Sequence, residues 1–274
     1  MLVGIWAEQR KRCGVRLVCV MLGWWRGVFV SEAVRMMSED GGTAARGGVN
    51  ESAARLEAEA QHALEALYPH TIKTLNQYVD ILASRGIEWG LIGPREGGRL
   101  WQRHVANSLA LVDVVGSGLD LADVGSGAGL PGLPLAIVRP DLRVTLIEPL
   151  LRRFNFLELA VDELGLGDRV EVRRARAEEC KDSFDVVVCR AVAPLEKLLK
   201  WTVPLFAPGG AGIGKKRAGG VVGQLVALKG ESAEEEIRTA SKRLSALRLR
   251  AEVLELEAAP GVGRTRAVRV ASAG

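Results

Sequence analysis

The clearest chemistry in the sequence lies in a run of glycines and small residues at positions 125–129. This run follows the apolar residues 121–124 and precedes Leu133, Leu135 and Ile137, whose spacing predicts a helix. Glycines let the backbone approach a ligand closely and take positive φ, and the start of a helix presents free N–H groups. The segment therefore predicts a pocket for a ligand that carries a nucleotide.

Residues 127–132 match the Gly-x-Gly-x-x-Gly pattern of dinucleotide-binding folds, and Glu148 follows at about the 20-residue distance expected of a ribose-binding acid. An NAD-dependent oxidoreductase is therefore one interpretation. Three features argue against it, and one of them is the antiparallel hairpin expected at the end of the sheet. Pro131 stiffens the turn where a pyrophosphate needs close backbone, and the turn begins earlier, at Gly125.

The elements that would position this pocket begin with helices. Apolar residues recur at helical spacing over residues 52–67 and again over residues 72–82, after which Gly86 is the predicted end. A loop over residues 87–98 precedes a third predicted helix over residues 100–115. We expect these helices to form an N-terminal cap at residues 51–117.

After the cap, strands and helices alternate, which predicts a parallel sheet covered on both faces. The seven expected strands are residues 121–124, 143–147, 170–173, 185–189, 224–229, 249–256 and 265–270. The turn at residues 260–263 joins the last two as an antiparallel hairpin. Further helices are expected at residues 150–164, 195–205 and 233–247.

A mostly parallel, seven-stranded Rossmann-like α/β sheet with an antiparallel C-terminal hairpin is typical of class I S-adenosylmethionine methyltransferases. In that interpretation the backbone of residues 125–129 packs against the cofactor, and the Glu148 carboxylate binds the ribose hydroxyls. Ala177 and Glu178 follow the third strand, where this fold places adenine contacts. The alternative for Glu148 is an exposed acid at a strand end.

Several segments carry a more specific resemblance. They are residues 123–136, Arg103-His104, Asn107-Ser108, Cys189-Arg190-Ala191 and Ala227-Leu228-Lys229-Gly230. Through them the sequence resembles the ribosomal RNA small subunit methyltransferase G family, also called glucose-inhibited division protein B, over about residues 54–270. The Gly-Leu-Pro-Gly element is far more specific than a bare glycine turn. Residues 1–50 and an insertion at residues 211–223 depart from the family and leave the substrate side open.

The resemblance implies transfer of a methyl group from S-adenosyl-L-methionine to N7 of one guanine of 16S ribosomal RNA. The target loop lies at the decoding centre, and the family implies the assembled small subunit as substrate. The predicted cofactor-binding residues are Gly125, Gly127, Gly129, Leu130, Glu148, Ala177, Glu178 and Arg190. The alternative is a methyltransferase for another RNA or for a small substrate.

Guanine N7 has an available lone pair, so its attack on a sulfonium methyl group requires no prior loss of a proton. We therefore assign no catalytic residue and expect proximity and alignment to supply the rate. Arg190 and Lys229 are candidates for positioning the substrate, although Arg190 could instead bind the cofactor carboxylate or form a structural ion pair. Cys189 could act as a nucleophile, but Val188 before it differs from the context of such enzymes and favours a buried structural cysteine.

Basic residues are candidates for contacts with RNA phosphates, which position a substrate without reading its sequence. These candidates are Arg95, Arg99, Arg103, Lys215-Lys216-Arg217, Lys229, Arg264, Arg266 and Arg269. Each of them could also be solvated surface. His104 is more simply structural, and Trp89 and Trp101 could either stack on a base or pack in the core.

Composition limits the classes that remain. The chain has 274 residues, 48% of them hydrophobic, which allows one main domain. A net charge of +4 favours an anionic partner, and the four cysteines show no spacing for a disulfide framework or a zinc site. We expect a cytoplasmic monomer that contacts no membrane and binds no metal.

Residues 1–50 need a separate interpretation. Arg10-Lys11-Arg12 and the apolar residues 17–25 resemble a signal peptide or a membrane-surface segment, but the apolar run is too short to span a bilayer. We interpret residues 1–50 as a disordered extension, or one read from a start codon upstream of Met36 or Met37, with a polar linker at residues 38–50. The methyltransferase domain is expected at residues 118–274.

Overall fold

The computed structural model describes residues 44–190, 192–206, 223–262 and 264–273. The predictions of an N-terminal extension, of a start at Met36 or Met37 and of an insertion at residues 211–223 therefore fall on residues almost entirely outside this part. Lys215-Lys216-Arg217 also lies outside the described residues.

The described helices follow the predicted order. They are α1 (Ala44–Leu67), α2 (Ile72–Ile81), α3 (Ala106–Leu109), α4 (Gly132–Val138), α5 (Leu151–Glu163), α6 (Leu195–Phe206) and α7 (Ala233–Ala246). Shorter helical turns cover Leu82–Gly86, Pro94–Arg99, Leu100–Val105, Ala177–Glu179 and Gly230–Ser232. Helices precede the sheet and then alternate with its strands, as the apolar spacing predicts.

The strands form one seven-stranded sheet. They are β1 (Asp120–Val124), β2 (Arg143–Ile147), β3 (Val170–Arg173), β4 (Val186–Arg190), β5 (Gln224–Leu228), β6 (Leu249–Leu256) and β7 (Thr265–Ser272). Their spatial order is β3-β2-β1-β4-β5-β7-β6, with β1 to β5 parallel and β7 antiparallel to both of its neighbours. This confirms the predicted sheet and its C-terminal hairpin.

The two faces of the sheet bury separate apolar layers because successive strand residues point to opposite sides. In β1, Leu121 packs with the N-terminal helices, α4 and α5, whereas Ala122 packs with α6 and α7. In β4, Val188 and Cys189 divide between the two layers in the same way. The order of the strands reverses between β1 and β4, and open α/β sheets bind ligands at the carboxyl ends beside such a switch point.

Two helix boundaries differ from the predictions. The helix that begins at Ile72 does not end at Gly86. It continues through a π-helical turn over residues 82–86 and ends at Glu88, and a turn follows that contains Gly90, with a φ of +67°. Gly90 provides the left-handed residue that commonly ends a helix, and sequence alone did not distinguish it from Gly86. The first helix begins at Ala44 rather than at residue 52, and it therefore includes Gly47 and Gly48, whose low helix propensity favoured a linker in the sequence.

The third helix is also more irregular than predicted. Residues 100–105 form a π-helical turn, α3 ends at Leu109, and turns follow through residue 114. The Glu57 carboxylate of α1 accepts hydrogen bonds from the backbone N–H groups of Trp101 and Gln102, at 2.6 and 3.0 Å. The carboxylate therefore caps the start of this helical segment, a position that the helix dipole favours.

Candidate active site

The glycine turn lies between β1 and α4, at the predicted place. The backbone N–H groups of Gly125 and Ser126 donate to the Ile147 carbonyl oxygen at 2.8 and 3.3 Å, so the turn is tied to the end of β2. Gly127 has a φ of +60°, and a Cβ there would meet only the Gly125 carbonyl oxygen, at 3.8 Å. The turn thus leaves open space in front of its backbone.

A buried aspartate, Asp123, forms hydrogen bonds with the glycine turn and with the start of α4. One carboxylate oxygen of Asp123, Oδ2, accepts hydrogen bonds from Ser126 Oγ at 2.6 Å and from the Gly132 backbone N–H at 3.0 Å. Burial raises the pKa of Asp123 to about 6. A Cβ at Gly132 would lie 2.7 Å from Oδ2 and 2.5 Å from Leu146 Cδ2, so only glycine allows α4 to begin this close to β1.

A tyrosine of the cap also holds this turn. The hydroxyl of Tyr78, on α2, donates to the Ala128 carbonyl oxygen at 2.8 Å, and the side chain is fully buried. Burial raises the pKa of this hydroxyl well above its ordinary value, which keeps it a hydrogen-bond donor. The cap is therefore part of the structure that forms the glycine turn.

Glu148 follows β2 and is buried, with only 1% of its surface exposed. Its Oε2 accepts from the Gly127 N–H at 3.0 Å, and its Oε1 accepts from the Leu150 N–H at 3.0 Å. Arg153 lies 3.9 Å from Oε2. The alternative of an exposed acid at a strand end is therefore wrong, since the carboxylate is fixed between the glycine turn and the segment after β2.

A cavity of about 720 Å³ opens in front of the glycine turn. Seven of the eight predicted cofactor residues line it, namely Gly125, Gly127, Leu130, Glu148, Ala177, Glu178 and Arg190. Gly129 does not line it. Its φ is +94°, and a Cβ at this position would lie 2.3 Å from Leu133 Cδ1, so the residue serves the path of the turn.

Arg190 ends β4 and meets the cap at the wall of this cavity. Its Nη2 lies 2.6 Å from His104 Nδ1, and its Nη1 lies 3.5 Å from the His104 carbonyl oxygen. The other ring nitrogen of His104, Nε2, lies 3.2 Å from Glu96 Oε2. Burial, and then the charge of Arg190, lower the pKa of His104 to about 4, so the imidazole is neutral near pH 7.

Lys229 lies at the end of β5 but does not line the cavity. Its ammonium pairs with Glu236 Oε2 at 2.7 Å and donates to the Ala193 carbonyl oxygen. The same Glu236 oxygen accepts from the Leu195 backbone N–H at 2.7 Å. Lys229 and Glu236 thus hold the segment that joins β4 to α6.

Cys189 is buried on the α6 and α7 side of the sheet and does not line the cavity. Burial raises the pKa of its thiol to about 12. A thiolate at this position would be strongly disfavoured near neutral pH. The structure agrees with the interpretation of Cys189 as a structural cysteine.

Six of the predicted RNA-contacting residues occupy two regions. Arg95, Arg99 and Arg103 are exposed on the helical turns before α3, and of these Arg103 pairs with Glu96 at 3.4 Å. The three predicted arginines of the C-terminal hairpin are paired with acids: Arg264 with Glu257, Arg266 with Glu255 and Glu234, and Arg269 with Glu252. The hairpin arginines therefore have less charge available for an external anion.

Neither tryptophan singled out in the sequence lines the cavity. Trp101 is buried in the core, and Trp89 packs edge to face against Phe156 with ring centroids 6.1 Å apart. Trp201 of α6 does line the cavity, and the sequence analysis missed it. Trp201 shares α6 with Leu195, Leu198 and Leu199, which are buried, so periodicity alone gave it no distinct signal.

Sequence reasoning also missed the roles of Asp123 and Tyr78. An acid within an otherwise apolar strand was a usable signal for Asp123, because burial of a lone carboxylate requires partners. Tyr78 follows Leu75 at helical spacing, which predicts burial but not the partner of its hydroxyl. The link between His104 and Arg190 joins residues far apart in sequence and had no local signal.

Within the described ranges, no group of histidine, cysteine or acidic side chains is arranged to hold a metal ion. The described residues form no helix with the length and apolar character needed to cross a membrane.

The strand order, the glycine turn at the switch point and the buried acid after β2 define a class I methyltransferase fold with a site for a nucleotide-bearing cofactor. Comparison with known families then gives a more specific result. Residues 71–260 match the family described as rRNA small subunit methyltransferase G, and the chain belongs to this family. The resemblance found in the sequence is confirmed, and the NAD-dependent oxidoreductase is set aside.

Individual relatives agree with this assignment. The ribosomal RNA small subunit methyltransferase G of Streptomyces avermitilis is 50% identical over 174 residues, which cover 62% of this chain and 67% of that protein. The protein of the same name from Nocardioides sp. is 51% identical over 197 residues, covering 71% of this chain and 73% of that protein.

Solved structures are more distant. A ribosomal protein L11 methylase from Lactobacillus delbrueckii subsp. bulgaricus is 16% identical with a TM-score of 0.45, covering 61% of this chain and 77% of that one. A SAM dependent methyltransferase from Aquifex aeolicus is 21% identical with a TM-score of 0.44, covering 61% of this chain and 89% of that one.

S-adenosyl-L-methionine is the methyl donor of this methyltransferase family, and the site has the groups that it needs. The cavity volume of about 720 Å³ lies within the range of roughly 300–1,000 Å³ that is common for cofactor pockets. The buried Glu148 carboxylate offers acceptors for hydroxyl groups, and the open space at Gly127 admits a ligand close to the backbone. The residues therefore fit this cofactor.

Proposed function

We propose that this chain methylates N7 of one guanine in 16S ribosomal RNA, in the loop at the decoding centre, with the assembled small ribosomal subunit as substrate. The acting protein is a monomer in the cytoplasm and requires no metal. Membership of the family supports methylation of small-subunit RNA. The choice of guanine N7 rests on the resemblance and on the chemistry of the cavity.

The observation that carries this choice is the state of His104. Of the histidines in the described residues, only His104 lines the cavity. One of its ring nitrogens contacts Arg190 and the other contacts Glu96. It therefore has no nitrogen free to accept a proton from a substrate. Guanine N7 attacks through its own lone pair and needs no base, which agrees with an imidazole that is already engaged at both nitrogens.

When bound, S-adenosyl-L-methionine supplies an electrophilic methyl group on its sulfonium. The residues of the chain bind and orient. Glu148 would accept hydrogen bonds from the ribose hydroxyls, and the backbone N–H groups of Gly127 and Leu150 keep its carboxylate in place. The backbone at Gly125, Gly127 and Leu130 would hold the methionine and ribose portions, since these residues line the cavity. Gly129 supports that contact through the path of the turn.

The far wall of the cavity completes the site. Ala177 and Glu178, which follow β3 and line the cavity, would hold the adenine. Arg190, which also lines the cavity, would present its guanidinium to an oxygen acceptor of the cofactor or of the guanine. Alignment of this kind lowers a barrier by up to about 7–11 kcal/mol in well-oriented systems, which leaves no need for a catalytic acid or base.

Outside the cavity, RNA is held by basic residues. Arg95 and Arg99 are exposed beside the segment that carries His104, and no described side chain forms an ion pair with either. Lys229 supports substrate positioning indirectly, because it holds Ala193 in the segment that follows Arg190.

The test is methyl transfer in vitro. The purified full-length chain is incubated with labelled S-adenosyl-L-methionine and small subunits from a strain that lacks the corresponding gene, and the RNA is digested and analysed by mass spectrometry. We expect N7-methylguanine at one position of 16S RNA, with free 16S RNA a poorer substrate. A methyl group on another base, or on no base, would contradict the proposal.

A binding measurement separates the cofactor from the substrate. Thermal unfolding with S-adenosyl-L-methionine and, separately, with NAD shows which ligand stabilises the chain. We expect stabilisation by S-adenosyl-L-methionine alone. If it stabilises the chain and no RNA is methylated, the cofactor assignment stands and the substrate assignment is overturned.

A further inference from the structure

Arg190 is held at the cavity wall from one side. Two hydrogen bonds of its guanidinium, from Nη2 to His104 Nδ1 and from Nη1 to the His104 carbonyl oxygen, involve a single residue of the cap. A guanidinium has five N–H donors. Those not directed at His104 are available to the cavity, which Arg190 lines.

The chemistry of the two residues fixes the state of His104. An arginine side chain only donates hydrogen bonds, so His104 Nδ1 must be the unprotonated acceptor. The proton of the neutral ring is then on Nε2, where it donates to Glu96 Oε2 at 3.2 Å. A carboxylate only accepts hydrogen bonds. Arg190 therefore donates to His104 Nδ1, and His104 Nε2 donates to Glu96.

Further contacts hold this histidine in place. Its carbonyl oxygen accepts from Ser108 Oγ at 2.7 Å, and only 7% of its surface is exposed. Glu96, which accepts from Nε2, also pairs with Arg103 at 3.4 Å. The imidazole therefore has a fixed orientation, and its lone pair is directed at the guanidinium.

We propose that His104, supported by Glu96, is a positioning residue that sets the orientation of the Arg190 guanidinium toward an oxygen acceptor bound in the cavity. The acceptor is either the carboxylate of the cofactor or the carbonyl oxygen of the guanine, both of which suit a guanidinium. This inference deepens the proposed function and depends on it for the identity of the ligand.

The link predicts a specific result in a double-mutant cycle. If His104 acts through Arg190, then His104→Leu and Arg190→Met each reduce methyl transfer, and the double variant loses no more than Arg190→Met alone. We expect a loss of about tenfold or more for His104→Leu, which corresponds to losing a hydrogen bond to a charged group. Additive losses would overturn the proposal.

A conservative variant separates positioning from stability. In His104→Asn the side-chain oxygen takes the place of Nδ1 and can accept from Arg190, so we expect it to recover most of the activity lost in His104→Leu. His62→Leu, at an exposed histidine of α1, is the matched control and keeps wild-type activity. Circular dichroism and unfolding midpoints establish the folded fraction, and rates are compared per folded protein.

Two readouts identify the acceptor. The Kd for S-adenosyl-L-methionine, measured by calorimetry without RNA, rises in His104→Leu if Arg190 binds the cofactor carboxylate. If Arg190 orients the guanine, that Kd is unchanged while kcat or the KM for the small subunit changes. If the wild-type chain does not methylate the small subunit, the proposed function is wrong. The Kd for S-adenosyl-L-methionine still tests whether His104 acts through Arg190. If His104→Leu changes none of these quantities per folded protein, the proposal is wrong.

Discussion

The Tyr78 hydroxyl of the cap donates to the Ala128 carbonyl oxygen at 2.8 Å, across 50 residues of sequence, and both groups are buried. The glycine turn is thus fixed on three sides, by Tyr78, by Asp123 and by Glu148. Because each contact comes from a different element, the shape of the cofactor pocket depends on the packing of the cap on the sheet.

Removal of this hydroxyl tests the dependence. In Tyr78→Phe the Ala128 carbonyl loses its buried donor, and we expect the free energy of unfolding to fall by about 1–3 kcal/mol. Affinity for S-adenosyl-L-methionine also falls, because the turn is less well fixed. Urea unfolding and calorimetry measure the two effects. Thr202→Val, which removes a buried hydroxyl bonded within α6, is the control and changes stability alone.

Glu148 provides a second test. In Glu148→Gln one carboxylate oxygen becomes an NH₂ group that faces a backbone N–H, so one of the two bonds to Gly127 and Leu150 is lost. We expect the Kd for S-adenosyl-L-methionine to rise by about tenfold to a hundredfold. Glu163→Gln, at an acid that pairs with Arg85 away from the cavity, is the control. An unchanged Kd in Glu148→Gln would show that the carboxylate does not bind the cofactor.

Variants of Lys229 test whether this residue supports the structure or contacts RNA directly. Lys229→Met leaves Glu236 partly buried without its cation, and we expect a loss of about 3 kcal/mol in the free energy of unfolding. Replacing both residues, as in Lys229→Met with Glu236→Leu, recovers part of that loss. The salt dependence of RNA binding stays the same in both variants, as measured by filter binding. A salt slope reduced by about 1 would instead indicate a direct phosphate contact by Lys229.

Acid sensitivity is predicted for His104. Burial and the charge of Arg190 lower its pKa in the folded chain from 6.5 to about 4. Between these values the unfolded chain binds the additional proton, so stability from this residue is present above pH 6.5 and is lost as the pH falls to about 4. Near pH 5 the loss is roughly 2 kcal/mol, at 1.36 kcal/mol per pH unit.

Asp123 has the opposite effect on the pH dependence of stability, over a pH range that overlaps that of His104. Burial raises its pKa from 3.8 to about 6, so the folded chain binds the additional proton and the contribution to stability falls as the pH rises through this range. We expect the two effects to offset each other in the wild type. Urea unfolding of His104→Asn between about pH 4 and 6 reveals falling stability with rising pH, and Asp123→Asn reveals the reverse. Parallel pH profiles for wild type and both variants would contradict this.

The exposed arginines of the cap test the RNA surface. Replacing Arg95 and Arg99 by glutamine weakens binding of small-subunit RNA and lowers the salt slope by roughly 0.7–0.9 for each phosphate that is no longer neutralised. Arg266→Gln is the matched control, because Arg266 is already paired with Glu255 at 2.6 Å. Equal effects of all three substitutions would indicate a general charge effect rather than a defined surface.

Much of the fold is encoded locally. Alternating strand and helix patterns from residue 121 onward predicted the parallel sheet, because strands buried on both faces need continuous apolar runs. Prediction was less accurate for the cap, where the helix was expected to end at Gly86 but continues to Glu88, before Gly90 with its positive φ. The irregular helical turns around Leu100 likewise depend on Glu57, which comes from another helix.

The sequence by itself determined the glycine turn, the acid after β2 and the family, because these features lie within short segments whose residue types are required by backbone geometry and cofactor chemistry. Tertiary structure decided which side chains meet at the cavity. The contacts of Tyr78 with Ala128 and of His104 with Arg190 join segments distant in sequence, and they exist only because the cap packs against the carboxyl ends of β1 and β4. Packing of this kind has no local sequence signal, since the partner of a buried polar group is chosen by the whole fold.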